Sequence, residues 1–228
     1  MPQIVNLSLF NDGNIVSYYK LENVNDNKSS NNLTNSGAVT FTAGKFGLGA
    51  NFGTGVGSLT TTNTMGIDGG SISMGGWILP LDTPSNISET VCGQGNNSNH
   101  VRYNLQYGDT SGQKFIVGYR TKAGVADQFG SANISTLSLN VPVHVFMTYD
   151  ASNIIIYQNG LPIGTGAASG TGSGATVSGF TVGVDSQGNN GGHFVVDDVP
   201  VFSRALTAAE VLTIYTTTSG AAFLSHFI

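Results

Sequence analysis

From residue 71 to residue 79 the side chains alternate with a period of two: Ile72, Met74 and Ile78 fall on one face, Ser71, Ser73 and Trp77 on the other. Successive strand residues point to opposite faces, so this pattern reads as a strand with one face turned to a core. Pro80 closes it, because proline brings no N–H to a ladder. The alternation returns at residues 143–149, and strand-like runs recur at 15–21, 103–107, 114–120 and 180–184. Asn159-Gly160 stands between two apolar runs. A type I′ hairpin needs φ > 0 at both central positions, which Asn and Gly tolerate. Residues 108–112 read as a turn, and the Gly/Ser/Thr/Ala-rich run 164–179 as a surface loop. Many strands punctuated by turns predict an all-β fold of antiparallel sheets, an antiparallel β-sandwich.

One helix interrupts this pattern. Thr207-Ala208-Ala209-Glu210 is a capping box, in which Thr207 caps the N–H of Glu210 and Glu210 reaches back to that of Thr207. Val211, Leu212, Ile214 and Tyr215 give the short helix an apolar stripe to lay on the sandwich. Just upstream, simple alternation puts Val195, Asp197, Val199 and Val201 on one face. If the valines face the core, so does Asp197, and a buried carboxylate requires a partner. Asp198 then points to solvent.

Composition narrows the class. Charged residues make up 9% of the 228, far below the usual quarter, while 39% are hydrophobic and 32 are Gly. Such a surface is kept soluble by hydroxyls and amides. The net charge of −5 includes no Lys/Arg cluster, so no footprint for nucleic acid or for a polybasic membrane contact exists. No apolar stretch reaches the roughly 18 residues of a membrane span, so no membrane insertion is expected. Cys92 is the single cysteine and reads as a small buried apolar residue. The chain starts at Met1 without a basic n-region or a small-residue cleavage site, so it carries no secretion signal as written.

Several segments in order resemble the laminin-G-like, concanavalin-A-like jelly-roll family. They are Val16-Ser17-Tyr18-Tyr19-Lys20-Leu21-Glu22, the polar loop Asn25-Asp26-Asn27-Lys28-Ser29-Ser30, and Gly44-Lys45-Phe46-Gly47-Leu48-Gly49-Ala50-Asn51-Phe52. Gly76-Trp77-Ile78-Leu79-Pro80, the Tyr149-Asp150 strand end, the Asn159-Gly160 hairpin and the closing segment 197–210 complete the series. The resemblance implies two antiparallel sheets packed face to face. No composition break or repeat divides the chain, which reads as one domain at 11–217 with an apolar N-terminal arm at 1–10 and an apolar tail at 218–228. The resemblance also implies a structural Ca²⁺ at Asp197, with backbone carbonyls and with Asp26 contributing; the alternative is that Asp197 accepts backbone N–H bonds from a neighbouring turn. Relatives include lectins, adhesion modules, accessory domains of glycan hydrolases, glycoside hydrolases and phage structural proteins.

Fold alone does not choose among these. A glycoside hydrolase needs two facing carboxylates, but the close pair Asp197-Asp198 is adjacent on one strand and points to opposite faces. No Gly-x-Ser-x-Gly elbow is present, and the four histidines have no zinc-like spacing. The expectation is therefore a protein that is not an enzyme. Glycan contacts are expected from Asn97, Asn99, His100 and Tyr103 in one stretch and from Asn189, Asn190 and His193 in another. Trp77 and Tyr157 read as core residues. Ile4, Val5, Leu7 and Phe10 at one end, and Phe223, Leu224, Phe227 and Ile228 at the other, have two readings: they pack back onto their own domain, or they are assembly elements binding virion proteins or further copies of the chain. The first reading is a virion structural or decoration protein, such as a bacteriophage carries, on the virion surface or otherwise extracellular and binding cell-surface glycans. The alternative is a bacterial carbohydrate-binding or adhesion module.

Overall fold

The computed structural model describes residues 9–53, 57–67, 70–82, 88–94, 102–110, 113–122, 125–134, 137–168, 179–184 and 191–219. The strands are β1 (Ile15–Tyr19), β2 (Thr34–Ser36), β3 (Thr40–Ala43), β4 (Leu48–Asn51), β5 (Ser58–Thr60), β6 (Ile72–Pro80), β7 (Ser88–Gln94) and β8 (Arg102–Thr110). They continue with β9 (Gln113–Lys122), β10 (Val125–Ile134), β11 (Val143–Tyr149), β12 (Asn153–Gln158), β13 (Leu161–Ala167), β14 (Phe180–Val182), β15 (Phe194–Asp197) and β16 (Val199–Phe202). Helix α1 (Ala208–Ser219) follows.

Two antiparallel sheets result. The larger runs β13-β12-β11-β6-β15-β4-β3, with β16 beside β6 and β1 beside β16. The smaller runs β10-β9-β8-β7-β14-β5-β2. Between them lies the core, to which Ile72, Met74, Ile78, Val145 and Met147 contribute from the larger sheet and Leu59, Cys92, Leu105 and Phe180 from the smaller. The alternation in β6 holds as read: Ile72, Met74 and Ile78 face the core. Asn159 and Gly160 adopt φ of 50° and 77°, as the hairpin requires.

The larger sheet is buried on its other face as well. Leu9, Phe10, Ile15, Tyr18, Phe146, Tyr157 and Phe202 form a second apolar layer with Leu206, Val211 and Ile214 of the helical segment. This explains why every residue of β11 is buried. Burying Val211 and Ile214 contributes about 3–6 kcal/mol. The capping box forms as expected: the Thr207 N–H donates to Glu210 Oε2 at 2.8 Å and the Glu210 N–H to Thr207 Oγ1 at 3.3 Å. Arg204 adds to it, donating to both Glu210 oxygens and, through Nε, to Asp12 at 2.7 Å.

The structure changes several expectations. Phe10 is buried in the domain's own outer layer, so it is spent on the fold and not free for a partner. The domain accordingly takes in Leu9 and Phe10 at one end and reaches Ser219 at the other. Strand β8 runs on to Thr110, and β13 runs to Ala167 into the presumed loop. The largest change is at Asp198. Its φ of 50° breaks the alternation by one residue. Phe194 and Val196 face the core, as do Val199 and Val201, while Val195 and Asp197 face outward. Opposite the bulge sits Gly76, where a Cβ would come within 2.8 Å of the Asp197 carbonyl oxygen. Asp198 is not exposed to solvent; it is 3% accessible.

Candidate functional site

Two groups of polar side chains stand out. The first is at the Asp198 bulge. Asp197, paired with Trp77 across the strands, accepts the Phe46 N–H at Oδ2 over 2.7 Å. The Gly44-Lys45-Phe46-Gly47 turn is shaped around it, since a Cβ on Gly44 would lie 2.6 Å from the same oxygen. Burial, reinforced by the neighbouring Asp198 charge, pushes the Asp197 carboxyl up to about 8. Asp198 accepts the Tyr18 hydroxyl, and burial raises it to about 6 against that hydrogen bond. Oδ1 of Asp197 and Oδ2 of Asp198 are buried without a hydrogen-bond partner.

Asp26 belongs to a different shell. Its Oδ1 accepts the N–H groups of Tyr18 and Lys28, and its Oδ2 accepts the Ser29 hydroxyl and the Asn31 N–H. Those bonds hold the carboxyl below its usual range despite burial. A cation needs oxygen lone pairs, and here N–H and O–H groups occupy them, so Asp26 does not fit calcium ligation. No group of three His, Cys, Asp or Glu that could hold a metal forms among the described residues. Asp197 and Asp198 fit better, since each keeps an unpartnered buried oxygen that a cation or a proton would satisfy.

The second group lies at one rim of the sandwich, where β6 ends, β7 starts and β15 starts. His193 Nδ1 and Asp82 Oδ2 stand 2.8 Å apart, with side-chain exposures of 33% and 50%. The backbone beneath is fixed: the His193 N–H donates to Glu89 Oε2 at 3.3 Å, and the His193 carbonyl accepts the Leu81 N–H at 3.1 Å. Glu89 is 4% exposed, and burial, helped by the Asp82 charge, raises its carboxyl to about 7. His193 was legible in the sequence. Asp82 and Glu89 were not, because they are distant in sequence and neither sits in a motif.

Of the other expected glycan contacts, Tyr103 is placed in the core. Its ring lies 5.8 Å from that of Tyr149, its hydroxyl donates to the Gly70 carbonyl, and it is 1% exposed, so it offers no face to a sugar. Asn97, Asn99, His100, Asn189 and Asn190 lie outside the described residues, as do Ile4, Val5, Leu7, Phe223, Leu224, Phe227 and Ile228. Trp77, Tyr157 and Cys92 are buried as expected. On the outer side of β8, Asn104 is fully buried with neither carboxamide atom hydrogen-bonded. No helix among the described residues is long and apolar enough to cross a membrane.

Comparisons with known proteins agree with this architecture. No curated protein gives a significant match to the sequence. Among solved structures, domain 4 of AbnA, a GH43 extracellular arabinanase from Geobacillus stearothermophilus solved with arabinotriose, superimposes with a TM-score of 0.65 at 14% identity, covering 89% of this chain and 98% of that one. Trypanosoma rangeli sialidase gives 0.64 at 16% identity, covering 90% of this chain and 32% of its own. The binding domain of botulinum neurotoxin serotype C1 gives 0.68 at 17% identity, covering 92% and 53%. The chain thus spans about a third of that sialidase and half of that toxin domain. At these identities the likeness concerns fold. The model of the family described as Laminin_G_3 matches residues 52–212, most of the chain, and with two antiparallel sheets and one helix in place, the chain belongs to this concanavalin A-like lectin/glucanase superfamily.

Proposed function

We propose that this chain is a non-enzymatic, lectin-like module that binds glycans at the Asp82–His193 rim. The observation that carries the reading is the rim itself: two half-exposed polar side chains held on a backbone pinned by buried Glu89. A sugar hydroxyl takes a carboxylate as acceptor and an imidazole nitrogen as donor or acceptor. Relatives in fold support a glycan as the partner. The arabinanase domain was solved with arabinotriose, and cell entry of botulinum neurotoxin type C depends on interaction with two ganglioside molecules. Titration against a glycan array, repeated with His193→Ala and Asp82→Ala, tests it. The expected result is binding by the native chain and at least a tenfold loss in both variants. Binding that survives both substitutions places the site elsewhere, and release of sugar from a labelled glycan overturns the non-enzymatic reading.

The finer reading places the module on a virion surface, or elsewhere outside cells, with this rim outward. A 9% charged composition supports a surface kept soluble by hydroxyls and amides. Finding the chain by mass spectrometry in purified particles tests that reading. The structural calcium implied by the family narrows to Asp197 and Asp198, whose unpartnered oxygens support it. A rise in Tm with calcium over chelator is its expected signature.

A further inference from the structure

We infer that the glycan taken at the Asp82–His193 rim is an uncharged one, and that sugars bearing a carboxylate or a sulfate are turned away. The inference rests on the glycan-binding reading and adds to it the chemical class of the ligand.

Charge is the first ground. The rim holds two acids, Asp82 and Glu89, and one histidine. Even a charged His193 cancels at most one of the acids. Among the described residues no lysine or arginine pairs with either of them. Lys45, the lysine that lines β6 and β15, is engaged elsewhere, with its Nζ 4.7 Å over the Trp77 ring. The two acids already feel each other. Burial, and after it the Asp82 charge, raises the Glu89 carboxyl, and the one opposing charge among the described residues is His193. A third negative charge brought by a ligand meets the same repulsion with no cation to relieve it.

Hydrogen-bond polarity is the second ground. Three backbone N–H groups beside the rim are spent inside the protein. That of Leu81 goes to the His193 carbonyl, that of Gly192 to the Gly183 carbonyl and that of His193 to Glu89. What stays open is acceptor capacity. A carboxylate has about four lone-pair sites. In Asp82, with its side chain half exposed, one oxygen meets His193 Nδ1 and the rest faces outward for a donor. Sugar hydroxyls and the N–H of an N-acetyl group are donors. A ligand carboxylate or sulfate brings only further acceptors, so the rim discriminates by repulsion as well as by fit.

An array that prints each acidic glycan beside its uncharged counterpart tests this in the full chain. Lactose stands beside 3′-sialyllactose, galactan oligomers beside galacturonan oligomers, and N-acetyllactosamine beside its sulfated form. The expected result is binding to uncharged members, with each acidic counterpart at least about tenfold weaker at low salt. The gap is expected to narrow severalfold in 1 M salt, where exposed charges are screened. It is expected to narrow likewise in Asp82→Asn, which keeps the size of the side chain and one acceptor oxygen but loses the charge. An acidic member that binds as well as its counterpart, or better, overturns the inference and leaves the rim reading standing. A preference that neither salt nor Asp82→Asn moves also overturns it, because its cause is then not the charge of the rim. Binding to no member at all overturns the rim reading and this inference with it.

Discussion

His144 on β11 carries the sharpest test of the packing under α1. Its ring is 1% exposed, stacked on Phe146 at 5.6 Å, edge-on to Trp77 at 5.4 Å and 5.9 Å from Tyr215. Neither ring nitrogen has a hydrogen-bond partner. Burial pushes its pKa down to about 3, against 6.5 for the free side chain. The unfolded chain therefore binds a proton that the folded chain refuses throughout that interval. Stability supplied by a neutral His144 is intact above pH 6.5 and is lost as pH falls toward 3. Those two values make the loss about 2 kcal/mol at pH 5 and about 3 kcal/mol at pH 4. His144→Phe keeps an aromatic ring in the stack and removes both unpaired nitrogens. That gains about 1 kcal/mol at pH 7, net of modest overpacking. Urea unfolding at pH 7, 5 and 4, followed by intrinsic fluorescence, measures the difference between the two proteins. Titration of Glu89, Asp197 and Asp198 is common to both and cancels. The gap is expected to widen from about 1 kcal/mol at pH 7 to about 3 kcal/mol at pH 5. A gap that is constant or shrinks toward acid refutes the reasoning.

Other substitutions probe the bulge, the helix clamp and one tight turn. The Asp197 carboxyl is raised to about 8, so the folded chain holds a proton that the unfolded chain releases, and stability is lost as pH rises toward 8. In chelator, Asp197→Asn is thus expected to overtake the native chain by several degrees in Tm between pH 5 and pH 9; a pH-independent difference contradicts this. Arg204→Ala loses the bonds to Asp12 and Glu210, and at 28% side-chain exposure, with solvent screening, the cost is about 1–2 kcal/mol. Urea unfolding in 1 M salt is expected to show a smaller difference than in 50 mM salt. Gly183 has φ of 85°, and a Cβ there would come within 2.1 Å of the Phe52 ring, so Gly183→Ala is expected to cost more than about 2 kcal/mol by urea titration.

Local signals made most of the sandwich readable. The alternation in β6, the Asn159-Gly160 turn and the Thr207–Glu210 box each depend on neighbours in sequence, and each forms as read. Strand β10 was not readable, because Val-Ala-Asp-Gln-Phe-Gly-Ser-Ala-Asn-Ile lacks a period of two and is paired through its long ladder with β9. The orientation of Asp197 failed for a definite reason. Alternation assumes an unbroken strand, and a single left-handed residue at Asp198 flips everything after it. The rim was half legible. His193 is a polar aromatic near a strand start, whereas Asp82 and Glu89 join it only through the pairing of β6 with β15 and the packing of the sheet that carries β7 against them.

The pairing of β1 with β16 has a mechanical consequence. The pair is antiparallel, and Ile15, where β1 starts, sits opposite Phe202, where β16 ends. Tension applied through the flanking chain on both sides therefore pulls the two strands apart from one end. Hydrogen bonds in that geometry open singly, like a zipper, and do not share the load as they would in shear. The fork of this pair is where Arg204 holds Asp12. Before load reaches it, the flanking chain must leave the outer layer, Leu9 and Phe10 on one side and Val211 and Ile214 on the other. The force at which the sandwich first yields is therefore set by how these two flanks are held on the sheet, and the Arg204–Asp12 bond, which ties one flank to the other, shares it.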